Sequence, residues 1–219
     1  MKKELITTGI VGIMAGIIMF VGDMFLYFTS APIHDFEKEL VTILGGVAPT
    51  RLMIGGLLGP LAAFLYMIGF YQIYLVTKAP YKKIAKIIVL LLSFGIVYGG
   101  AFHAHFAHLG FVASQGNETL LQLTQDYMVY HFYIMFFPSL IAYCLLAYLI
   151  VTNKTFYPSW FVLCSPIVLF WFSAVVNLLP QPLLIIVAGG WSNIIFICFF
   201  GLSTVYLSTF KNSQELGSK

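Results

Sequence analysis

Six long apolar runs, at residues 5–28, 52–76, 86–112, 129–151, 160–179 and 185–208, constrain this chain more than anything else in it. Each holds about twenty or more mainly apolar residues, enough for a helix to cross a hydrocarbon core of roughly 30 Å. Barrel strands would show short alternating stretches, whereas these runs are continuously apolar. The expected fold is therefore all-α: an integral membrane bundle of six transmembrane helices, forming a single domain over residues 1–219.

Composition excludes a soluble fold. Charged residues make up 9% of the chain and mean hydropathy is +0.95, against about 25% charged residues in soluble domains. The net charge of +3 comes from scattered loop residues with no basic patch, so nucleic acid is not an expected partner. The expected partners are membrane lipids and an apolar or amphiphilic small molecule.

Loop charges orient the bundle. Lys2 and Lys3 precede the first run, Lys78, Lys82, Lys83 and Lys86 fill the second loop, Lys154 the fourth, and Lys211 follows the last run. The opposite loops carry Asp35, Glu37, Glu39, Glu118 and Asp126, with Lys38 and Arg51. The positive-inside rule then puts both termini in the cytoplasm of a bacterial-type plasma membrane. The first run is too long for a signal-peptide core and reads as a retained helix. Cys144, Cys164 and Cys198 fall inside runs and read as small buried hydrophobes. There is no C-x-x-C, dinucleotide fingerprint or phosphate loop.

Two outer loops carry order of their own. Ile33, Phe36, Leu40, Ile43 and Leu44 recur at helical spacing with charges mostly between them, which predicts a short amphipathic helix in the first outer loop, ended by Gly45-Gly46. As an outer cover it has the character of a lid. Asn117 is a fitting start for a helix running on through His131. Pairs of glycines at spacing four, such as Gly55 and Gly59 or Gly95 and Gly99, predict close helix contacts.

The polar residues converge on the outer half. Asp23 lies near the outer end of the first helix and Arg51 at the mouth of the second. The run GGAFHAHFAHLG places His103, His105 and His108 in the outer half of the third, and His131 lies just inside the fourth. Asn177, Trp191 and Asn193 occupy the corresponding ends of the last two. The inner half holds almost nothing ionisable. Ionisable groups at membrane depth usually face a bundle interior or cavity, so Asp23, Arg51, His105, His108 and His131 are expected to line one outward-facing pocket, with Trp191 and Asn193 on its wall. At about 100° per residue, His105 and His108 share a face, and His103 points away from both. Tyr127 sits one turn before His131.

Each of these residues also has a structural reading. A membrane histidine can bond a neighbouring carbonyl, Asp23 and Arg51 can pair to staple two helices, and Trp191 can anchor at the interface. Three functional classes remain. In a membrane enzyme acting on a lipid or other apolar substrate, His105, His108 or His131 serves as acid or base, because imidazole titrates near neutral pH. Asp23 assists, and Arg51, Asn177, Trp191, Asn193, Tyr127 and His103 contact substrate, with Arg51 on an anionic head group. In a proton-coupled transporter or channel the same groups relay protons. In a sensor they bind a ligand. A metal reading groups His105, His108, His131 and Asp23 around zinc, or sets facing histidines on a haem, although no established zinc spacing is present.

Overall fold

The computed structural model describes residues 2–209; Lys211 and the rest of the tail used above for orientation lie outside the described residues. Helices α1 (Lys2–Tyr27), α2 (Phe36–Gly45), α3 (Pro49–Val76), α4 (Lys82–Ser114), α5 (Glu118–Val151), α6 (Pro166–Leu169), α7 (Ser173–Val176) and α8 (Trp191–Thr209) follow in chain order, with no strand among the described residues. Five of them, α1, α3, α4, α5 and α8, are long and apolar enough to cross a membrane.

The run at 160–179 departs from the expectation of six continuous helices. It is divided into short pieces: a 3-10 stretch at Ser159–Cys164, then Pro166–Val176, a short apolar helix in which α6 and α7 are joined by a 3-10 turn at Phe170–Phe172. Pro166 begins the second piece, and Ser165 before it is extended, at φ −75° and ψ 149°. Proline supplies no N–H and pushes its predecessor out of the helical region. The chain still travels the length of the bundle here. Thr155 pairs with Thr77 at the lysine-bearing end. At the other end, Gln181 Nε2 donates to the Ala31 carbonyl across 3.1 Å.

Two apolar cores stack along the bundle, called inner at the lysine-bearing end and outer at the opposite end. α1 packs on α3 and α8, α3 on α4, α4 on α5, and α2 on the outer part of α4. The inner core gathers Leu5, Tyr66, Phe70, Leu146, Phe161 and Phe200. The outer core gathers Leu26, Leu44, Leu52, Leu109, Met128 and Ile185. In lipid, such helix contacts are held by close packing more than by release of water. Tyr130, Tyr133, Phe137 and Ile141 of α5 are exposed, as suits a lipid-facing surface.

Backbone bonds staple the inner loops. Lys78 N–H donates to the Lys154 carbonyl at 3.0 Å and Phe156 N–H to the Val76 carbonyl at 2.9 Å. Lys78 Nζ adds a bond to the Asn153 carbonyl at 2.7 Å. Asn153 turns the chain at φ 57°, a left-handed position that asparagine tolerates.

The outer helix α2 forms where the apolar spacing predicts it. Asp35 caps it, accepting from Lys38 N–H at 3.2 Å. Glu39 Oε1 accepts from the backbone N–H groups of His34 and Asp35 at 2.7 and 2.9 Å. The Lys38 side chain and amide hold the Asp35 carboxyl below its usual range, and the two amides do the same for Glu39. Asn117 caps α5 by accepting from Leu120 N–H at 3.0 Å.

Candidate functional site

The polar residues of the outer half form two groups, on opposite faces of α4. The first is buried between the two cores. Asp23 on α1 and His103 on α4 are each 6% exposed, with Asp23 Oδ1 3.3 Å from His103 Nδ1. The other imidazole nitrogen, Nε2, lies 3.1 Å from the Gly55 carbonyl of α3. Asn193 of α8 donates from Nδ2 to Asp23 Oδ2 at 2.7 Å. Its Oδ1 accepts from Tyr66 OH at 3.0 Å. Four helices thus meet in one hydrogen-bonded layer.

Glycine makes that layer fit. A Cβ at Gly59 would stand 2.6 Å from His103 Cδ2, and one at Gly22 2.8 Å from His103 Nε2. The imidazole therefore lies against bare backbone of α1 and α3. The spacing of Gly55 and Gly59 signals this close approach, but not what fills it.

The second group lies on the α5 side. The His105 and His131 rings meet edge to face at 4.8 Å between centroids. Tyr127 lies 4.6 Å from His131 and 5.2 Å from His105. His108 lies 5.8 Å from His105, and Tyr98 lies 5.7 Å from His131. His105 and His131 are half-buried, while His108 and Tyr127 are exposed. From Lys86 to His105 is 19 residues, and from His131 to Val151 is 20. At 1.5 Å per residue those are about 28 and 30 Å, close to one hydrocarbon thickness. The cluster therefore stands about one membrane depth from the lysine-bearing end.

The single pocket expected from the sequence is thus divided. Helical rotation turns His103 away from His105 and His108, and Asp23 goes with His103. Arg51 joins neither group. Its guanidinium donates to the Met24 and Phe28 carbonyls at 3.1 and 3.0 Å, where cations favour the C-terminal end of a helix. It caps α1, and the carboxylate partner of the expected Asp23–Arg51 staple is taken by His103. Asn193 belongs to the buried layer. Trp191 begins α8 with its indole N–H buried and unpartnered. Asn177 is exposed and lines an outer depression of about 460 Å³ with His34 and Gln181.

No three His, Cys, Asp or Glu side chains among the described residues group as a metal site. The zinc set of His105, His108, His131 and Asp23 is split across α4. The ring contact between His105 and His131 leaves no plane for a haem between them. A groove of about 360 Å³ runs between α2, α4 and α5, lined by Leu40, Phe102, Met128 and Phe132 with Glu37 and Gln125; no histidine lines it.

Sequence reasoning missed a neutral polar node in the inner half. Gln72 is fully buried and donates to the Leu5 carbonyl at 2.8 Å. Its Oε1 accepts from Ser203 at 2.8 Å, and Ser203 bonds Tyr157 OH at 2.6 Å. The only cue was an amide inside a long apolar run.

These features define an all-helical chain of membrane-spanning character, with a buried Asp–His layer and an open histidine cluster above it. Residues 1–209 match the model of a family of unknown function, DUF6796, and the chain belongs to that family. No curated protein and no solved structure matches it.

Proposed function

We propose that the chain is a single-domain, six-pass protein of a bacterial-type plasma membrane with both termini cytoplasmic, acting as an enzyme on a lipid or similar amphiphile at the outer face. The topology rests on the lysine loops sharing one end and on the broken stretch 155–181 serving as the sixth pass. One observation supports the site: His105, His108, His131 and Tyr127 gather from two helices, with His108 exposed and His105 and His131 half-buried, about one membrane depth from the lysines. Imidazole exchanges protons near neutral pH. One ring takes a proton from a head-group hydroxyl while its neighbour orients it, a general acid–base arrangement. The apolar part of the substrate lies along the α4–α5 seam, with the groove under α2 as its entry and α2 as the cover. Asp23, His103 and Asn193 hold α4 in place beneath.

A proton-coupled carrier is the second reading, favoured by the buried Asp23–His103 pair. The purified chain in vesicles of bacterial phospholipid separates the two. Lipid mass spectrometry should show turnover that falls at least tenfold in His105→Ala or His131→Ala. Absence of turnover in the wild type, or full turnover in folded His105→Ala, His108→Ala and His131→Ala variants, rejects the enzyme reading. Proton uptake without lipid turnover establishes the carrier.

A further inference from the structure

We propose that Asp23 and His103 together form a buried proton-binding site that holds one shared proton and carries no net charge. The argument is independent of the reading given to the outer histidines.

It follows from counting donors and acceptors. The Gly55 carbonyl can only accept, so His103 Nε2 must carry a hydrogen across their 3.1 Å contact. His103 Nδ1 faces Asp23 Oδ1 at 3.3 Å, an ion-pair contact between the two side chains. With Nε2 protonated, an ionised Asp23 beside a neutral ring would set two lone pairs against each other. Moving the ring hydrogen to Nδ1 would repair that contact and break the one to Gly55. Both contacts are satisfied only when a proton also lies between Oδ1 and Nδ1. It is on the nitrogen as imidazolium beside carboxylate, or on the oxygen as carboxylic acid beside imidazole. Both forms are neutral as a pair.

Among the described residues, the surroundings supply no other counter-charge. On α1, the neutral Tyr27 hydroxyl donates to the Gly189 carbonyl at 2.6 Å and also lies within reach of the Asp23 carboxyl. On α3, Tyr66 donates to Asn193, and the Arg51 guanidinium is spent on α1 carbonyls. On α4, His105 turns to α5. From α8 comes Asn193, a neutral amide that donates to Asp23. An isolated buried carboxylate is strongly disfavoured, so the proton keeps the layer uncharged. It is also the link between α1 and α4. Losing it would place an unpaired charge where the two cores meet, so the seating of the outer core on the inner one depends on proton occupancy.

The geometry names a mimic. In Asp23→Asn, the new Nδ2 can donate to His103 Nδ1 while the new carbonyl accepts from Asn193. Every bond of the layer survives without the shared proton. Asp23→Leu removes both contacts that Asp23 makes, to His103 and to Asn193.

The test uses the full chain in lipid nanodiscs, with ¹⁵N-labelled histidine and ¹³C-labelled aspartate, His103 being assigned by difference from His103→Gln. At neutral pH the spectra should show either imidazolium with carboxylate, or Nε2-protonated imidazole with carboxylic acid. An ionised Asp23 beside a neutral His103 overturns the proposal. Asp23→Asn should keep wild-type thermal stability with a His103 that stays neutral, while Asp23→Leu should lose most of its folded yield. Equal loss in both variants also overturns it.

Discussion

His103 and His105 stand two residues apart on one helix and meet opposite fates. His103 turns toward α1 and α3, is 6% exposed, and spends both ring nitrogens on fixed partners. His105 turns toward α5 and meets the Tyr127 ring and two imidazoles, with part of its edge open. The difference comes from the neighbours. Glycines 22, 55 and 59 let backbone close around His103, whereas the α5 side offers bulky rings that cannot close around His105. A buried, saturated histidine holds helices together. An open one remains available for chemistry.

The sharpest way to break this contrast is to truncate each histidine in turn. His103→Ala leaves Asp23 buried without its partner and should cost about 3–5 kcal/mol, the usual effect of breaking a buried pair. His105→Ala loses only partial packing and should stay within about 1 kcal/mol. Thermal unfolding in detergent measures both. Similar losses for the two variants would show that burial does not separate their roles.

A smaller effect tests the glycine explanation. Gly59→Ala puts a methyl 2.6 Å from His103 Cδ2, which the ring can escape only by shifting off its partners. Overpacking of this kind should cost about 1–3 kcal/mol and disturb the His103 ring resonances while leaving those of His105 in place. Unchanged His103 resonances would remove glycine from the account.

The smallest effect lies at α2, outside both groups. The Asp35 and Glu39 carboxyls are held below their usual ranges in the folded helix. Their contribution is present above the unfolded carboxylate range, near pH 4, and is lost as pH falls through the lowered folded values. Protection of the Lys38 amide, relative to its intrinsic exchange rate at each pH, should therefore fall in acid before protection in the spans does. Simultaneous loosening of α2 and the spans would contradict this.

The apolar passes were legible because transfer of side chains to lipid scales with composition. A kink at Pro166 was legible too, since proline removes a backbone donor; the division of the whole run into short pieces was not, because hydropathy counts side chains and ignores backbone bonding. The opposite facing of His103 and His105 followed from 100° per residue. The partner of Asp23 did not, since it depends on which face of α4 meets α1, and only the packed glycines decide that. Arg51 drew attention as a charge, but its role as a cap needed the end of α1 to be located. Gln72, Ser203 and Tyr157 come from three distant segments, and nothing in their local sequence joins them.

The stapled loops at the lysine end have a mechanical consequence. Lys78–Lys154 and Val76–Phe156 bonds tie the α3–α4 turn to the chain leaving α5, so this rim acts as a clamp. At the far end the short turn around Gly116 joins α4 directly to α5. The pair is therefore held at both ends, like a beam on two supports. Relative movement of the two helices is then a bow between the supports, taken up where ring meets ring at His105–His131 and Phe102–Phe132. The histidines lie within that span, so what moves them is bending of the helices and not a swing of their tips.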